Sequence, residues 1–348
     1  MSRTRVAVVG GGRSSEHHVS LASAAGIRAA LDPYRYAVLG LTIEQDGGWS
    51  TADRVRLPYG AVDAARILSA VDVVIPALHG PRGEDGTFAG FMDVLGVPCT
   101  GSGVRAGALA MDKWATKLVA AELGIATAPG VLVTAAQALD VLGPGPGAGV
   151  ELPVVVKPVA AGSSHGVTLV TDVAGLGPAV AAALALDDRV LLEQVVRGRE
   201  VDVAVLERPD GELVVSPGLE IRLRHGAAFF DTAGKYDGGA DLVTPADLPA
   251  PVSADLGEAA RTLYRALGCA GVARFDFFVT DSGVVLNEVN TSPGFTPRSQ
   301  VPRMFAAAGI GYGRLLDLMI RSALVRGPQR GTSVSSVASG RQANLTGA

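Results

Sequence analysis

Arg274 and Asp276 stand two residues apart, and so do Glu288 and Asn290. Alternate side chains of an extended strand share a face, so each pair points one way. Between the pairs, Asp281-Ser282-Gly283 reads as a hairpin tip with apolar flanks. Folding the hairpin about Ser282 sets Asp276 opposite Glu288 and Arg274 beside Asn290. Two carboxylates, an amide oxygen and a guanidinium then meet on one face. Oxygen donors of this kind suit Mg²⁺, which takes few protein ligands and completes its octahedron with water and phosphate oxygens; Mn²⁺ accepts similar donors. The plainer alternative is a solvated face carrying a surface ion pair. Against it stand the flanking Phe275, Phe277, Phe278, Val284, Val285 and Leu286, among which a charge needs a partner or an ion.

Other residues could serve the same chemistry. Lys157 ends the apolar run Val154-Val155-Val156, and Gly162-Ser163-Ser164-His165-Gly166 follows. A strand lysine beside a Gly/Ser loop can cradle phosphate, because backbone N–H groups approach closely and the ammonium balances charge. An ordinary turn with an exposed lysine is the alternative, and the P-loop pattern is absent. Lys113, on a helix, is a weaker candidate. The strand-to-linker stretch Leu191–Val196, with Glu193, offers apolar walls and backbone hydrogen bonds for a purine, and Glu200 could accept from ribose hydroxyls. His79-Gly80-Pro81-Arg82-Gly83-Glu84 follows one strand of a parallel sheet, and Glu16 follows another. Ligands of such sheets sit beyond the strands' carboxyl ends, so both loops could open onto one cleft. His17 and His18 are adjacent and point apart, which argues against a shared metal. Gly10-Gly11-Gly12 hints at a dinucleotide site, but Ser15 replaces the third glycine of that fingerprint.

The elements that must position these residues begin with β–loop–α, Val6–Val9 into a helix at Ser20–Leu31. Strands follow at Tyr36–Leu41 and Val71–Ile75, an alternation that implies a parallel sheet flanked by helices. Further on come a helix at Met111–Leu123, strands at Gly130–Val133, Pro153–Lys157, Val167–Val170 and Val190–Glu193, and a helix at Leu176–Leu186. A hairpin joins Val201–Glu207 to Leu213–Pro217. Helices at Ala254–Leu267 and Tyr312–Leu324 bracket the acidic hairpin. Segment 225–241 is Gly-rich and reads as a mobile loop. Residues 143–149 read as an exposed loop, and 326–348 as a disordered tail. With 348 residues, 48% apolar and 18% charged, the chain is a globular class with room for two or three domains. A net charge of −4 without a basic stripe argues against nucleic acid. No apolar run is long enough to span a membrane. No signal peptide precedes the first strand, so a cytoplasmic enzyme is expected. Cys99 and Cys269 lack metal-ligand spacing.

Together these segments resemble the D-alanine–D-alanine ligase family of the ATP-grasp superfamily. The matching text is Gly11-Gly12-Arg13-Ser14-Ser15-Glu16, His79 to Thr87, Thr100 to Gly103, Met111-Asp112-Lys113, Lys157-Pro158, Gly162-Ser163-Ser164, Lys235-Tyr236, Arg274-Phe275-Asp276 and Asn287 to Gly294. It runs in order from about residue 5 to 323. The resemblance implies an α/β fold, α+β in part. A Rossmann-like substrate domain over 1–101 would precede two ATP-grasp subdomains, 102–193 and 194–325, the latter carrying loop 225–241. It implies that ATP phosphorylates the carboxylate of one D-alanine and that the amine of a second attacks the acyl phosphate. Lys113 and Lys157, with Ser164 nearby, would hold the inner phosphates and Lys235 the outer one. Glu193, Val196, Phe229 and Glu200 would surround adenine and ribose. Asp276, Glu288 and Asn290 would bind two Mg²⁺ ions. Glu16 would take the first substrate's ammonium and His79 would lie near it. Arg274 and the Gly294 N–H would face the tetrahedral oxyanion. Glu16, Ser163 and Tyr236 would form a hydrogen-bonded trio. Ser299 would hold the second substrate's carboxylate, with Gln300 bordering that pocket. A homodimer is expected by family analogy.

Departures from the family pattern fall at His18, His165, Gln194, Thr232-Ala233-Gly234 and Gln300. Residues 218–226 and 292–302 look like the vancomycin-resistance branch, which uses D-lactate or D-serine as second substrate. Lys235-Tyr236 is present and that branch's histidine-bearing loop is absent, which favours an amine nucleophile. Alternatives are the same chemistry with D-serine, another D-amino acid or D-lactate, a non-catalytic nucleotide binder, and, last, a dinucleotide oxidoreductase.

Overall fold

The computed structural model describes residues 3–137, 151–223 and 240–328. The first sheet holds β1 (Thr4–Gly11), β2 (Tyr36–Ile43), β3 (Trp49–Thr51) and β4 (Val73–Pro76), in the order β3-β2-β1-β4. Strand β1 is parallel to both neighbours. Val6 to Val9 are fully buried, as expected of a parallel strand covered on both faces. The sheet is not wholly parallel, however: the short edge strand β3 runs antiparallel to β2. Helices α1 (His17–Ala30), α2 (Ala61–Leu68) and α3 (Thr87–Leu95) accompany it.

A small antiparallel sheet follows, made of β5 (Gly130–Thr134), β6 (Val154–Pro158), β7 (Thr168–Val170) and β8 (Arg189–Gln194) in the order β5-β8-β6-β7. The largest sheet contains β9 (Arg199–Glu207), β10 (Leu213–Val215), β11 (Leu219–Leu223), β12 (Ala240–Val243), β13 (Val272–Thr280) and β14 (Gly283–Asn290). Its order is β12-β11-β9-β13-β14, with β10 pairing β9. Strand β9 is buried on both faces. Val201, Val203 and Val205 enter one apolar core, and Ala204 and Leu206 enter another shared with the first sheet.

The helix expected over Met111–Leu123 is α5 (Lys113–Glu122), and a further helix, α4 (Val104–Met111), precedes it. Asp112 breaks the run in an extended conformation and its carboxylate accepts from the Ala115 N–H at 2.8 Å, the competition with helical bonding that short polar side chains offer. Both helices supply the core of the largest sheet through Ala106, Ala110 and Ala120. Packing therefore divides the stretch 102–193. The small sheet, with α6 (Val173–Leu184), has its own core of Val133, Val156, Val180 and Leu192. Helix α7 (Ala250–Leu267) packs beside α4 and α5 in the same core and stops at Gly268, which caps it at φ 73°. Helices α8 (Gln300–Ala307) and α9 (Tyr312–Arg326) close the chain against the first sheet's core.

Two sequence expectations need correction. Ala240 and Asp241, read as the end of a loop, pair in β12 with Leu223 and Arg222. Arg326, read as the first tail residue, ends α9 and bonds to Glu207 at 3.0 Å and to the Cys99 carbonyl at 3.1 Å. The remaining tail from 329, the 143–149 loop and most of 225–241 lie outside the described residues.

Candidate active site

The acidic hairpin has the expected pairs by an unexpected route. Its tip is the two-residue turn Asp281-Ser282, because Thr280 pairs with Gly283. A regular ladder from that tip would set Asp276 against Asn287 and send Glu288 to the core face. A bulge at Asn287 adds one residue, so Asp276 pairs with Glu288 and Arg274 with Asn290. Leu286 and Val289 remain in the core with Phe275 and Phe277.

Strand β9 extends the acidic row, since Asp202 lies opposite Asp276. Three carboxylates, Asp202, Asp276 and Glu288, thus sit in register on adjacent strands. Like charges placed this way repel, and cations separate them. The Arg274 guanidinium donates from Nε and Nη2 to the two Asp276 oxygens at 2.7 and 2.8 Å, and its Nε lies 3.6 Å from Asp202. Lys113 lies 3.2 Å from Glu288 and donates to the Ala161 carbonyl at 2.8 Å. Burial opposes the Arg274 charge, but Asp276, Asp202 and Glu288 outweigh it and hold the group more basic than usual.

A cavity of about 830 Å³ lies between the small sheet and the large one. Lys113, Lys157, Ser164, Glu193, Val196, Glu200, Asp276 and Glu288 all line it. Sequence reading placed every one of these in the nucleotide or metal site, and the fold gathers them from five strands, a helix and two loops. The floor holds an unforeseen triad. Glu193 is buried between Lys157, in a very short contact, and Lys117, at 2.6 Å. Burial favours the neutral acid, but the two ammonium groups prevail and lower the Glu193 pKa. Burial is also the main force lowering the Lys117 pKa. Lys117 lies one helical turn from Lys113, a same-face spacing that could have revealed it. At the cavity wall Arg199 and Arg222 both clasp Glu220, at 2.7 Å each, and bring its pKa down to about 2.

The second cluster adjoins the first through the Gly/Ser loop. Ser163 and Ser164 have φ of 49° and 56°, a left-handed conformation that costs L-residues roughly 1–2 kcal/mol each. The Ser163 hydroxyl donates to Glu16 Oε1 at 2.5 Å, tying this loop to the first sheet. Two of the expected trio therefore meet; Tyr236, like Lys235 and Phe229, lies outside the described residues. His79 is buried, donates from Nδ1 to the Ser292 carbonyl at 3.0 Å and sits 3.6 Å from Glu84. Burial would lower its pKa, but Glu84 and Glu16 raise it. Asn290 does not line the cavity; its Oδ1 accepts from the Ser292 N–H at 3.0 Å and shapes the turn toward Gly294. An ideal Cβ on Gly294 would lie 3.4 Å from Ser299 Oγ, so those two residues are neighbours. Ser299 is bonded to Thr296 N and Oγ1 at 3.0 and 2.8 Å. Gln300 is engaged at both ends of its amide: it accepts from Arg274 Nη1 at 2.8 Å and donates to Asp202 at 2.9 Å.

The donor set suits a hard divalent cation. Asp276 and Glu288 are cross-strand neighbours whose charge basic side chains now balance, and Asn290 adds an oxygen on the same face. Among the described residues no group of three His, Cys, Asp or Glu side chains could hold a metal, so an amide or phosphate oxygen must complete any such site.

Two sheets that grip a nucleotide-sized cavity from opposite sides, with Lys157 and Glu193 on the small one and Asp276 and Glu288 on the large one, make this an ATP-grasp fold. Comparisons with known proteins agree. Residues 5–102 match the family described as D-ala D-ala ligase N-terminus, and residues 122–321 match D-ala D-ala ligase C-terminus. A D-alanine–D-alanine ligase of Corynebacterium aurimucosum is 42% identical over 92% of this chain and 98% of its own length. One of Nocardia farcinica is 42% identical over 94% and 98%. Among solved structures, the VanG D-Ala:D-Ser ligase of Enterococcus faecalis superposes with a TM-score of 0.79 at 31% identity, over 92% of this chain and all of that one. The ATP complex of the Bacillus anthracis D-alanine–D-alanine ligase gives 0.74 at 30%, over 92% and 97%. The chain belongs to the D-alanine–D-alanine ligase family.

Proposed function

We propose that this chain joins two D-alanines into D-alanyl-D-alanine at the expense of ATP, the dipeptide serving peptidoglycan synthesis. The carrying observation is the convergence of Lys113 and Lys157 with the Asp276–Glu288 pair in one cavity, next to the Glu16–Ser163 contact. ATP fills the cavity, its adenine against the Glu193–Val196 linker and its ribose near Glu200. Because Lys117 and Lys157 each hold one oxygen of the Glu193 carboxylate, that residue is charged and fixed, with lone pairs left to accept. Lys113 and Lys157 hold the phosphates near Ser164; the resemblance gives Lys235, Tyr236 and Phe229, outside the described residues, the remaining roles.

Glu16 binds the ammonium of the first D-alanine, close to His79. The carboxylate of that D-alanine takes the γ-phosphoryl group and becomes an acyl phosphate, so the carbonyl gains a good leaving group. The free amine of the second D-alanine, its own carboxylate held at Ser299, attacks that carbonyl and phosphate departs. Arg274 and the Gly294 N–H stabilise the oxyanion formed on the way, the role of donors aimed at developing charge. Mg²⁺ ions held by Asp276, Glu288 and Asn290 would neutralise charge on the transferring phosphoryl group.

The expected units 1–101, 102–193 and 194–325 remain the functional reading, although α4 and α5, within the second, pack on the large sheet's core. The seam between the two family matches supports the first of these. A homodimer in the cytoplasm completes the reading; among the described residues no helix is long and apolar enough to cross a membrane.

D-alanine as second substrate is favoured over D-serine or D-lactate by relatives such as the two 42% identical D-alanine–D-alanine ligases. The test is phosphate release and product mass with D-alanine as first substrate and D-alanine, D-serine or D-lactate as acceptor. D-alanyl-D-alanine should dominate at neutral pH. A depsipeptide or mixed dipeptide as main product would overturn the assignment.

A further inference from the structure

We propose that Asp202 and Gln300 are positioning residues for Arg274, and that Gln300 acts in this way instead of contacting the second substrate. The proposal rests on the reading of Arg274 as an oxyanion donor. The three side chains close a ring. Arg274 Nη1 donates to Gln300 Oε1 at 2.8 Å, Gln300 Nε2 donates to Asp202 Oδ2 at 2.9 Å, and that same oxygen lies 3.6 Å from Arg274 Nε. Each member comes from a different element. Arg274 is on β13, Asp202 is on the adjoining β9 and is 1% exposed, and Gln300 opens α8.

A guanidinium bonded only to Asp276 could swing about that one edge. Its remaining nitrogen is fixed by an acceptor from outside the strand, and the acceptor's orientation is fixed in turn. A carboxylate accepts only, so Asp202 dictates which end of the Gln300 amide faces Arg274. The amide oxygen must then point at the guanidinium. Leucine at position 300 would leave Nη1 without this partner. Glutamate there would face the Asp202 carboxylate.

The experiment compares wild type with Gln300→Leu, Gln300→Glu, Asp202→Asn and the Asp202→Asn/Gln300→Glu double variant. In the double variant the new amide at position 202 donates to the new carboxylate at position 300, which still accepts from Arg274, so the ring is rebuilt with its polarity exchanged. Dipeptide synthesis should lose about 10- to 100-fold in kcat in Gln300→Leu and Gln300→Glu, the range for a misplaced catalytic group. The KM for ATP should stay within about twofold, since nucleotide binding is untouched. The double variant should recover at least about half of the logarithmic loss of Gln300→Glu. As a readout independent of turnover, the ¹⁵N Nε–H signal of Arg274, identified by its absence in Arg274→Lys, should be sharp in wild type and exchange-broadened in Gln300→Leu. Wild-type kcat in Gln300→Leu, a loss confined to the ATP KM, or a double variant no better than Gln300→Glu would overturn the proposal. If wild type makes no dipeptide, the ligase reading fails, and the proposal's catalytic part fails with it. A Gln300→Leu signal as sharp as in wild type would then refute the positioning as well.

Discussion

Lys117 offers the sharpest test of the electrostatics beneath the nucleotide cavity. Its ammonium donates to Glu193 Oε1 at 2.6 Å and, in a very short contact, to the Ala128 carbonyl. Lys117→Met removes both bonds and leaves a side chain of similar length. One charge-assisted hydrogen bond is worth about 1.5–3 kcal/mol, and a buried carbonyl left without a donor costs about 1–3 kcal/mol. Two effects reduce the sum: the ammonium no longer has to be desolvated, and Lys157 still pairs with Glu193. The net loss should be about 2–4 kcal/mol, below the roughly 3–5 kcal/mol of a buried pair broken outright. At roughly 2–4 °C per kcal/mol for a unit of 150–250 residues, the melting temperature should fall by about 5–15 °C.

The pH dependence fixes the cause. Glu193 titrates below its ordinary value of 4.5 in the folded protein. Its ionisation therefore stabilises the fold above that value, and the benefit disappears as pH falls through the lower, folded one. With one ammonium gone the depression shrinks, so acid unfolding of Lys117→Met should begin at higher pH than in wild type. Thermal melts from pH 7 to pH 3 measure both effects. A variant that melts within a degree of wild type at pH 7, with the same acid profile, would show that the triad does not stabilise the cavity floor.

Further expectations concern the neighbouring groups. Burial lowers the His79 pKa and Glu84 is the larger of the two acids that raise it, so Glu84→Gln should bring that pKa down relative to wild type; NMR titration of the imidazole checks this, and an unchanged value would mean that Glu84 is not a cause. Asp276→Asn should weaken Mn²⁺ binding in the presence of ADP by at least about 10–100-fold, the range for changes around a metal ligand. Electron paramagnetic resonance reads that affinity, and an unchanged value would remove Asp276 from the ligand set.

Much of the site was legible because strand alternation is rigid. With Arg274 and Asp276 on one face of a strand, that face needs no tertiary information. The partner strand was harder. A pivot at Ser282 yielded the observed pairs only because the bulge at Asn287 adds the residue that the two-residue tip omits, and one-residue insertions have no reliable sequence signature. Asp202 was missed although it shares an alternating face with Glu200, because its neighbours Val201 and Val203 made the strand read as simply buried. Gln300 was placed at a substrate pocket by resemblance; its bonds to Arg274 and Asp202, 26 and 98 residues away, lie beyond any local pattern. Helix α4 was missed because its Ala-rich stretch has a periodicity that carries little information. Short elements such as β3, β11 and α8 escaped because three to eight residues are too few to show a period.

The central claim is that this cavity activates a D-alanine carboxylate by phosphorylation before an amine attacks it. D-alanine labelled with ¹⁸O in both carboxyl oxygens, incubated with the enzyme, ATP and Mg²⁺, tests this directly. One labelled oxygen should appear in each inorganic phosphate released, in step with the dipeptide formed. Phosphate free of the label, or labelled phosphate without dipeptide, would contradict the account.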